Sequence, residues 1–230
     1  MIITQPFSQL RVYISEKKDG SIDKQEQAKK VLIQNGCKKP IVYFHHLHQA
    51  QRFYLNHKQQ FSNTIMADAV INHKQRCCLT MKVADCFPII IIDNKNRVYS
   101  LIHGGWKPLF QNILELTVQD MQYKYKLNPK DLSVWIGPGI RSCCYQSKTK
   151  PIQADLLNWQ KSIKKIKNHW QINLVSFIKD ELERLNLQKD KIIDSEICTC
   201  CESDKFFSHH KSKKLQEPEA RFLVGAELLS

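Results

Sequence analysis

The segment from Val83 to Trp106 constrains the fold more than any other part of the chain. It reads Val-Ala-Asp-Cys-Phe-Pro-Ile-Ile-Ile-Ile-Asp, a polar break, then Val-Tyr-Ser-Leu-Ile-His-Gly-Gly-Trp. Phe87–Asp93 and Val98–His103 are short runs rich in β-branched residues, joined through Asn94-Lys95-Asn96, residues suited to a tight turn. A hairpin folded about Lys95 places Cys86 and His103 opposite each other at its open end. A thiolate and an imidazole so placed can share a metal ion or act as nucleophile and base. Asp85, just before the cysteine, is costly beside apolar neighbours unless it is hydrogen-bonded or functional. Gly104 and Gly105 let a ligand approach the backbone directly after His103.

Further strands are expected over residues 9–15, ending at a Lys18-Asp19-Gly20 hairpin turn, and over 41–48, 67–72, 77–83, 131–136 and 222–228. Helical spacing marks residues 24–35, with Gly36 as the stop, and 110–125, 151–166 and 175–187. Strands clustered at mid-chain, with helices between others, predict mixed α/β layers around one core. At about 150 residues per domain, 230 residues are read as a single domain spanning 1–230. An aromatic content of 9% supports a packed core and rules out disorder as the main state. The longest apolar run, Phe87–Ile92, falls far short of the roughly 18 residues a membrane span needs. No basic stretch followed by an apolar one opens the chain, so the expectation is a soluble cytoplasmic protein.

The net charge of +13 favours anionic ligands. The basic residues are scattered, however, and the densest group, Lys161, Lys164, Lys165 and Lys167, alternates with Ile163 and Ile166 as an amphipathic helix would. No stripe of aromatics interleaved with Lys and Arg is legible, which makes nucleic acid a poor candidate partner. Nine cysteines, three pairs of them sequence neighbours, fit reduced thiols better than a disulfide framework. Cys198 and Cys201 form a C-x-x-C, but a zinc ribbon needs a second such pair some 15–20 residues away. That cluster is therefore expected to be structural or to support a neighbouring site. Upstream, His45-His46-Leu47-His48 places imidazoles on an expected strand, with His46 and His48 on one face and His45 on the other. Catalytic zinc commonly takes three protein ligands and leaves one position open, and His, Cys, His is such a set.

These motifs together resemble the YfiH family, long catalogued as laccase-like or polyphenol-oxidase domains and described as purine nucleoside phosphorylases. The matching elements are His46-Leu47-His48-Gln49, Ala67-Asp68-Ala69-Val70-Ile71, Val83-Ala84-Asp85-Cys86-Phe87-Pro88 and His103-Gly104-Gly105-Trp106-Lys107-Pro108. They continue with Ile136-Gly137-Pro138-Gly139-Ile140, Cys143-Cys144-Tyr145-Gln146, Cys198-Thr199, Phe206-Phe207-Ser208 and Ala220-Arg221. The order is kept from about residue 46 to residue 221. Lys107 stands where the family has Arg, Pro108 where it has Gly and Gln146 where it has Glu. The Arg that follows Phe-Phe-Ser in the family falls on His210 or Lys211.

The resemblance implies a single-domain layered α/β sandwich with mixed β-sheets, holding zinc through His48, Cys86 and His103. His46 is the alternative to His48, and copper is a possible metal. It also implies phosphorolysis of adenosine, inosine, guanosine and methylthioadenosine to base and ribose 1-phosphate, with adenosine deamination. Catalytic roles would fall to Cys86, His103, Asp85 and Asp68, the two carboxylates serving as general acid–base or holding an imidazole. Lys107, Arg221, Gly104 and Gly105 would receive substrate and phosphate. The competing readings are a copper-dependent polyphenol oxidase, a cysteine-centred hydrolase editing peptidoglycan precursors and, least of all, a non-enzymatic zinc module binding nucleic acid. The oxidase reading sits poorly with a sequence whose one His-x-His pair is His46-Leu47-His48.

Overall fold

In the computed structural model, which describes residues 1–55 and 65–229, the mid-chain hairpin is the spine of one of two large sheets. The chain opens with strands β1 (Ile2–Phe7) and β2 (Leu10–Ile14), helix α1 (Gln25–Gln34) and strands β3 (Ile41–His45) and β4 (Arg52–Tyr54). Next come β5 (Ile65–Met66), β6 (Ala69–His73), β7 (Cys78–Val83), β8 (Phe87–Asp93) and β9 (Val98–Gly104), then helices α2 (Trp106–Phe110) and α3 (Ile113–Tyr125). The rest is β10 (Ser133–Ile136), β11 (Gln146–Ser147), β12 (Ile163–Ile166), β13 (His169–Ile172), α4 (Leu174–Arg184), β14 (Ile192–Asp194), α5 (His209–Leu215) and β15 (Phe222–Leu228). One sheet runs β1-β2-β15-β7-β3-β5, the second β14-β10-β8-β9-β6-β4, and a small third sheet β11-β13-β12. Both large sheets are mixed, as in the parallel pairing of β3 with β7 and the antiparallel pairing of β15 with β7.

The layers follow from which side chains alternate. Phe87, Ile89 and Ile91 on β8, with Val98 and Ile102 on β9, pack against Ile113, Leu114 and Val118 of α3 and Val175, Ile178 and Leu182 of α4. Ile90, Ile92, Tyr99 and Leu101 point the other way, into a core shared with Val12, Phe44, Leu79, Met81 and Val224 of the opposing sheet. β8 and β9 are buried along their whole length, which explains why Ile89–Ile92 is continuous rather than alternating. On the far side of the first sheet, Ala28, Val31 and Leu32 of α1 cover Tyr13, Tyr43 and Leu223. The sandwich is thus four layers, helix, sheet, sheet, helices. Among the described residues, no helix is long and apolar enough to cross a membrane.

Several expectations need correction. β2 pairs with β1 and β15, and Lys17–Asp19 is a 3-10 turn, so no hairpin turn lies at 18–20. The 110–125 helix is broken at Asn112, whose left-handed backbone (φ 60°) separates α2 from α3. Asn tolerates that conformation better than most residues. The 151–166 helix does not form. Two 3-10 turns, Ile152–Asp155 and Leu157–Trp159, lead into β12, which folds back on β13. Ile163 and Ile166 flank exposed Lys164 and Lys165 in a short strand, and four residues are too few to separate a period of two from one of 3.6. The tertiary anchor here is Trp159, buried and stacked on Phe177 of α4 at 3.6 Å between ring centroids. The β8–β9 turn also includes Arg97 in the left-handed region (φ 57°). Pro88 therefore pairs with His103, and Cys86 lies beyond the ladder instead of opposite the histidine.

At the end of β14, Asp194, a half-buried residue whose side chain is 7% exposed, accepts hydrogen bonds from Lys179 of α4 (2.8 Å) and the Glu196 amide (2.9 Å), and pairs with Arg141. Burial alone raises its pKa, but Lys179, the Glu196 amide and Arg141 outweigh it and hold it below the usual 3.8. A depressed carboxylate stabilises above its unfolded pKa and loses that contribution as pH falls through the folded value. Asp194→Asn should cost about 1–2 kcal/mol at pH 7, given the partly exposed cations. The gap from wild type, followed by urea unfolding, should narrow below pH 3.8; a gap that stays constant with pH would assign the effect to packing.

Candidate active site

Asp68 organises this end of the sandwich. Fully buried, its carboxylate accepts the backbone N–H of His48 and of Gln49, both at 2.9 Å, and meets His103 Nδ1 at 3.0 Å. The strand ladder reinforces this, since the His103 amide donates to the Asp68 carbonyl at 2.7 Å. Burial would raise the carboxyl pKa, but His103 and the two amides outweigh it and lower it. With Nδ1 fixed on a carboxylate, His103 Nε2 is left to face the cleft, the arrangement that orients imidazole ligands in metal sites. Burial also pulls the His103 imidazolium down. The Cys86 sulfur and Asp68 against the ring reverse this and raise its pKa to about 9.

β3 ends at His45, so residues 46–48 are not a strand and alternation does not set their directions. His48 instead takes a left-handed backbone (φ 57°), which brings two imidazoles to one place. His46 stacks on His103 with centroids 3.9 Å apart, and His48 meets His103 edge-on at 4.8 Å. Ligand atoms of His46, His48 and His103 all lie within 4.8 Å of one another. Burial and the neighbouring rings hold His46 and His48 below the ordinary histidine pKa, so their lone pairs are available. His46 Nε2 is buried with no hydrogen-bond partner, the kind of orphan that calls for an explanation. Gly105 completes the cradle, because a Cβ there would come within 3.0 Å of His103 Nε2 and 3.1 Å of Cys86 Sγ. Three imidazoles, one of them orphaned, fit a transition-metal ion such as zinc or copper, while Cys86, expected as a ligand, lies beside His103 and outside that group. His45 lies apart, edge-on to Tyr43, and His73 packs on Tyr125.

The other expected residues divide. Asp85, with φ 76°, accepts Thr199 Oγ1 (2.7 Å), Ser208 Oγ (3.0 Å) and the His210 amide (2.6 Å), so its carboxylate is engaged in bracing two distant loops. Gly104 is a packing residue, since a Cβ would meet Ile89 Cδ1 and the Phe87 carbonyl at 2.7 Å. Lys107 and Arg221 do line the cleft, a space of about 490 Å³ reaching from the three histidines to α5. Sequence reasoning missed Lys82, His209 and Lys213, which share that lining, and His210 lies there too while Lys211 bonds Ser203 instead. The cleft lining therefore carries Lys82, Lys107, Lys213 and Arg221, the last paired with Glu219 at 2.9 Å, and its one acidic residue is Asp85. Nothing in their spacing announces this convergence; it arises because β7, α2, α5 and the start of β15 end at the same corner.

The profile of the family described as "Multi-copper polyphenol oxidoreductase laccase" matches residues 4–217. A purine nucleoside phosphorylase of Clostridium acetobutylicum is 26% identical over 148 residues, covering 64% of this chain and 62% of that protein. One from Rickettsia conorii is 28% identical over 165 residues, covering 70% and 67%. The chain thus spans about three fifths of the Clostridium relative's length. Among solved structures, YlmD of Geobacillus stearothermophilus superposes with a TM-score of 0.81 at 19% identity, covering 99% of this chain and 94% of that one. YfiH of Bacillus licheniformis gives 0.79 at 21%, covering 96% and 93%. Matched almost throughout by one profile and folded as YfiH and YlmD are, the chain belongs to the YfiH-type laccase-domain family.

Proposed function

We propose that this protein is a zinc-dependent purine nucleoside phosphorylase, converting adenosine, inosine, guanosine and methylthioadenosine to base and ribose 1-phosphate, with adenosine deamination as a second activity. The observation that carries the reading is the pairing of an imidazole trio with a cleft walled by four cationic side chains. Such a wall suits a phosphate co-substrate, and the names of the relatives point the same way. His48, Cys86 and His103 would hold the zinc, with His46 as the rival donor. Zinc bound there would supply Lewis-acid polarisation in a partly enclosed site.

The residues of the chain supply the rest. Asp68 fixes the His103 ring through Nδ1. Lys107, at the start of α2 two residues beyond the Gly104–Gly105 pair, would hold phosphate as a point charge, joined by Arg221, a planar fork with one arm on Glu219. Phosphate oxygen attacks the ribose anomeric carbon, the glycosidic C–N bond breaks and the base leaves with that electron pair and takes a proton. Orienting two substrates in one cleft removes much of the entropic part of the barrier.

With adenosine and phosphate, zinc-loaded protein should release adenine and ribose 1-phosphate, with some inosine, as read by chromatography. Phenol oxidation by copper-loaded protein, without phosphorolysis, would replace this proposal by the oxidase reading.

Lys107→Ala should raise the KM for phosphate roughly tenfold while leaving that for adenosine nearly unchanged, as loss of about one charge-assisted hydrogen bond would. An equal rise for both would indicate general damage to the cleft.

His48→Ala and Cys86→Ser should each lose most of the zinc from this site and nearly all phosphorolysis while remaining folded, whereas His45→Ala and His73→Ala keep both. Zinc retained in His48→Ala would transfer the ligand role to His46. Full zinc with abolished activity in Cys86→Ser would favour the cysteine-centred hydrolase.

A further inference from the structure

A second group of metal-type donors lies away from the histidines. Cys143 and Cys144 sit in the loop after β10, Cys198 and Cys201 in the loop after β14, and all four Sγ atoms lie within 4.8 Å of one another. Cys143 Sγ is 3.5 Å from Cys198 Sγ and 3.4 Å from Cys201 Sγ, and Cys144 Sγ is 3.4 Å from Cys201 Sγ. Each of Cys143 and Cys201 thus touches two sulfurs at once. A disulfide joins sulfurs in pairs at about 2.05 Å. Four thiolates around a tetrahedral zinc with bonds of about 2.3 Å stand roughly 3.8 Å apart, between the 3.4–3.5 Å of the three closest pairs here and the 4.8 Å that bounds the whole group.

The backbone is shaped for the same purpose. Cys144 and Tyr145 both donate N–H to the Arg141 carbonyl, at 2.9 and 2.8 Å, a tight turn that presents two adjacent thiols together. Glu202 donates to the Cys198 carbonyl at 2.9 Å, closing the C-x-x-C turn, and the Arg141 N–H points at Cys198 Sγ at 3.5 Å. Gly139 and Cys198 form a parallel bridge that ties the two loops.

We propose that Cys143, Cys144, Cys198 and Cys201 form a structural tetrathiolate zinc site, separate from the histidine cleft, that clips the loop after β10 to the loop after β14. A closed S₄ set with no open position suits structural zinc. Its placement gives it work. The first loop donates the Ile140 amide to the Asp85 carbonyl at 2.8 Å, and the second donates Thr199 Oγ1 to the Asp85 carboxylate. Asp85 precedes Cys86, so the clip braces the backbone from which the cleft thiol projects.

Elemental analysis of the intact, reduced protein should find two zinc per chain. Cys143→Ser/Cys201→Ser should lose one and melt at a lower temperature, while Cys200→Ser keeps both. His46→Ala/His48→Ala, loaded with cobalt(II), should show the thiolate charge-transfer and tetrahedral ligand-field bands of an S₄ centre, which needs no folded cysteine variant. The proposal fails if that cobalt spectrum is absent, if the intact protein carries no zinc beyond the histidine site, if iron or copper fills the thiols, or if mass analysis finds the four thiols joined as disulfides.

Discussion

β8 and β9 are buried on both faces, one against α3 and α4 and the other against the opposing sheet. A strand in that position leaves little room for polar side chains, so chemistry is displaced to where the strands emerge. That is where Cys86 and His103 stand. Burial also explains why the emerging groups are so closely held. His103 is almost fully enclosed and its ring nitrogen is committed to Asp68; with neighbours packed at solid-like density, a ring so placed has few alternatives. The cleft is thus the rim of the hydrophobic core.

The two aspartates of the site illustrate how environment divides one chemistry into two jobs. Asp68 spends its lone pairs on two consecutive amides and one imidazole, setting both the path of the 46–49 segment and the orientation of the ring. Asp85 spends its own on residues more than a hundred positions later in the chain. One carboxylate positions a candidate ligand, and the other draws the loops that carry Thr199, Ser208 and His210 onto the sandwich. Leaving either set of partners unsatisfied would cost on the order of 1–3 kcal/mol per buried group.

Much of this was legible in the sequence where local pattern and tertiary role agree. α1 and α4 fall where periodicity puts them because each has one consistent partner layer, and β7, β8, β9 and β15 because each is a short, mostly apolar run buried in the sandwich. The layered α/β class followed from those elements. The 151–166 segment misled because its isoleucines report a short edge hairpin, and its order depends on Trp159 stacking on Phe177, a contact invisible in one dimension. Motif resemblance pointed to His48, Cys86 and His103. It left His46 only as the alternative to His48, because the left-handed residue that brings both rings together is not readable in one dimension. It missed Lys82 and Lys213, which reach the cleft from separate elements. The Cys143–Cys201 grouping was hidden for the same reason: its halves belong to loops brought together by the pairing of β10 with β14 and the Gly139–Cys198 bridge beyond it.

The position of β15 has a bearing on how the molecule comes into being. In the first sheet it lies between β2 and β7, and β2 has no neighbour other than β1 and β15. A two-stranded ribbon alone is marginal in water. During synthesis, then, the β1–β2 ribbon emerges some two hundred residues before its docking partner exists. Ser15 illustrates the delay, its hydroxyl accepting the Leu223 amide across 208 positions. Contacts of such range make closure slow, and until it happens the facing edges of β2 and β7 stay open to water and to other chains. The nascent protein therefore passes through a half-sheathed state whose exposed edge is sealed by the same strand that leads from Arg221 at the cleft.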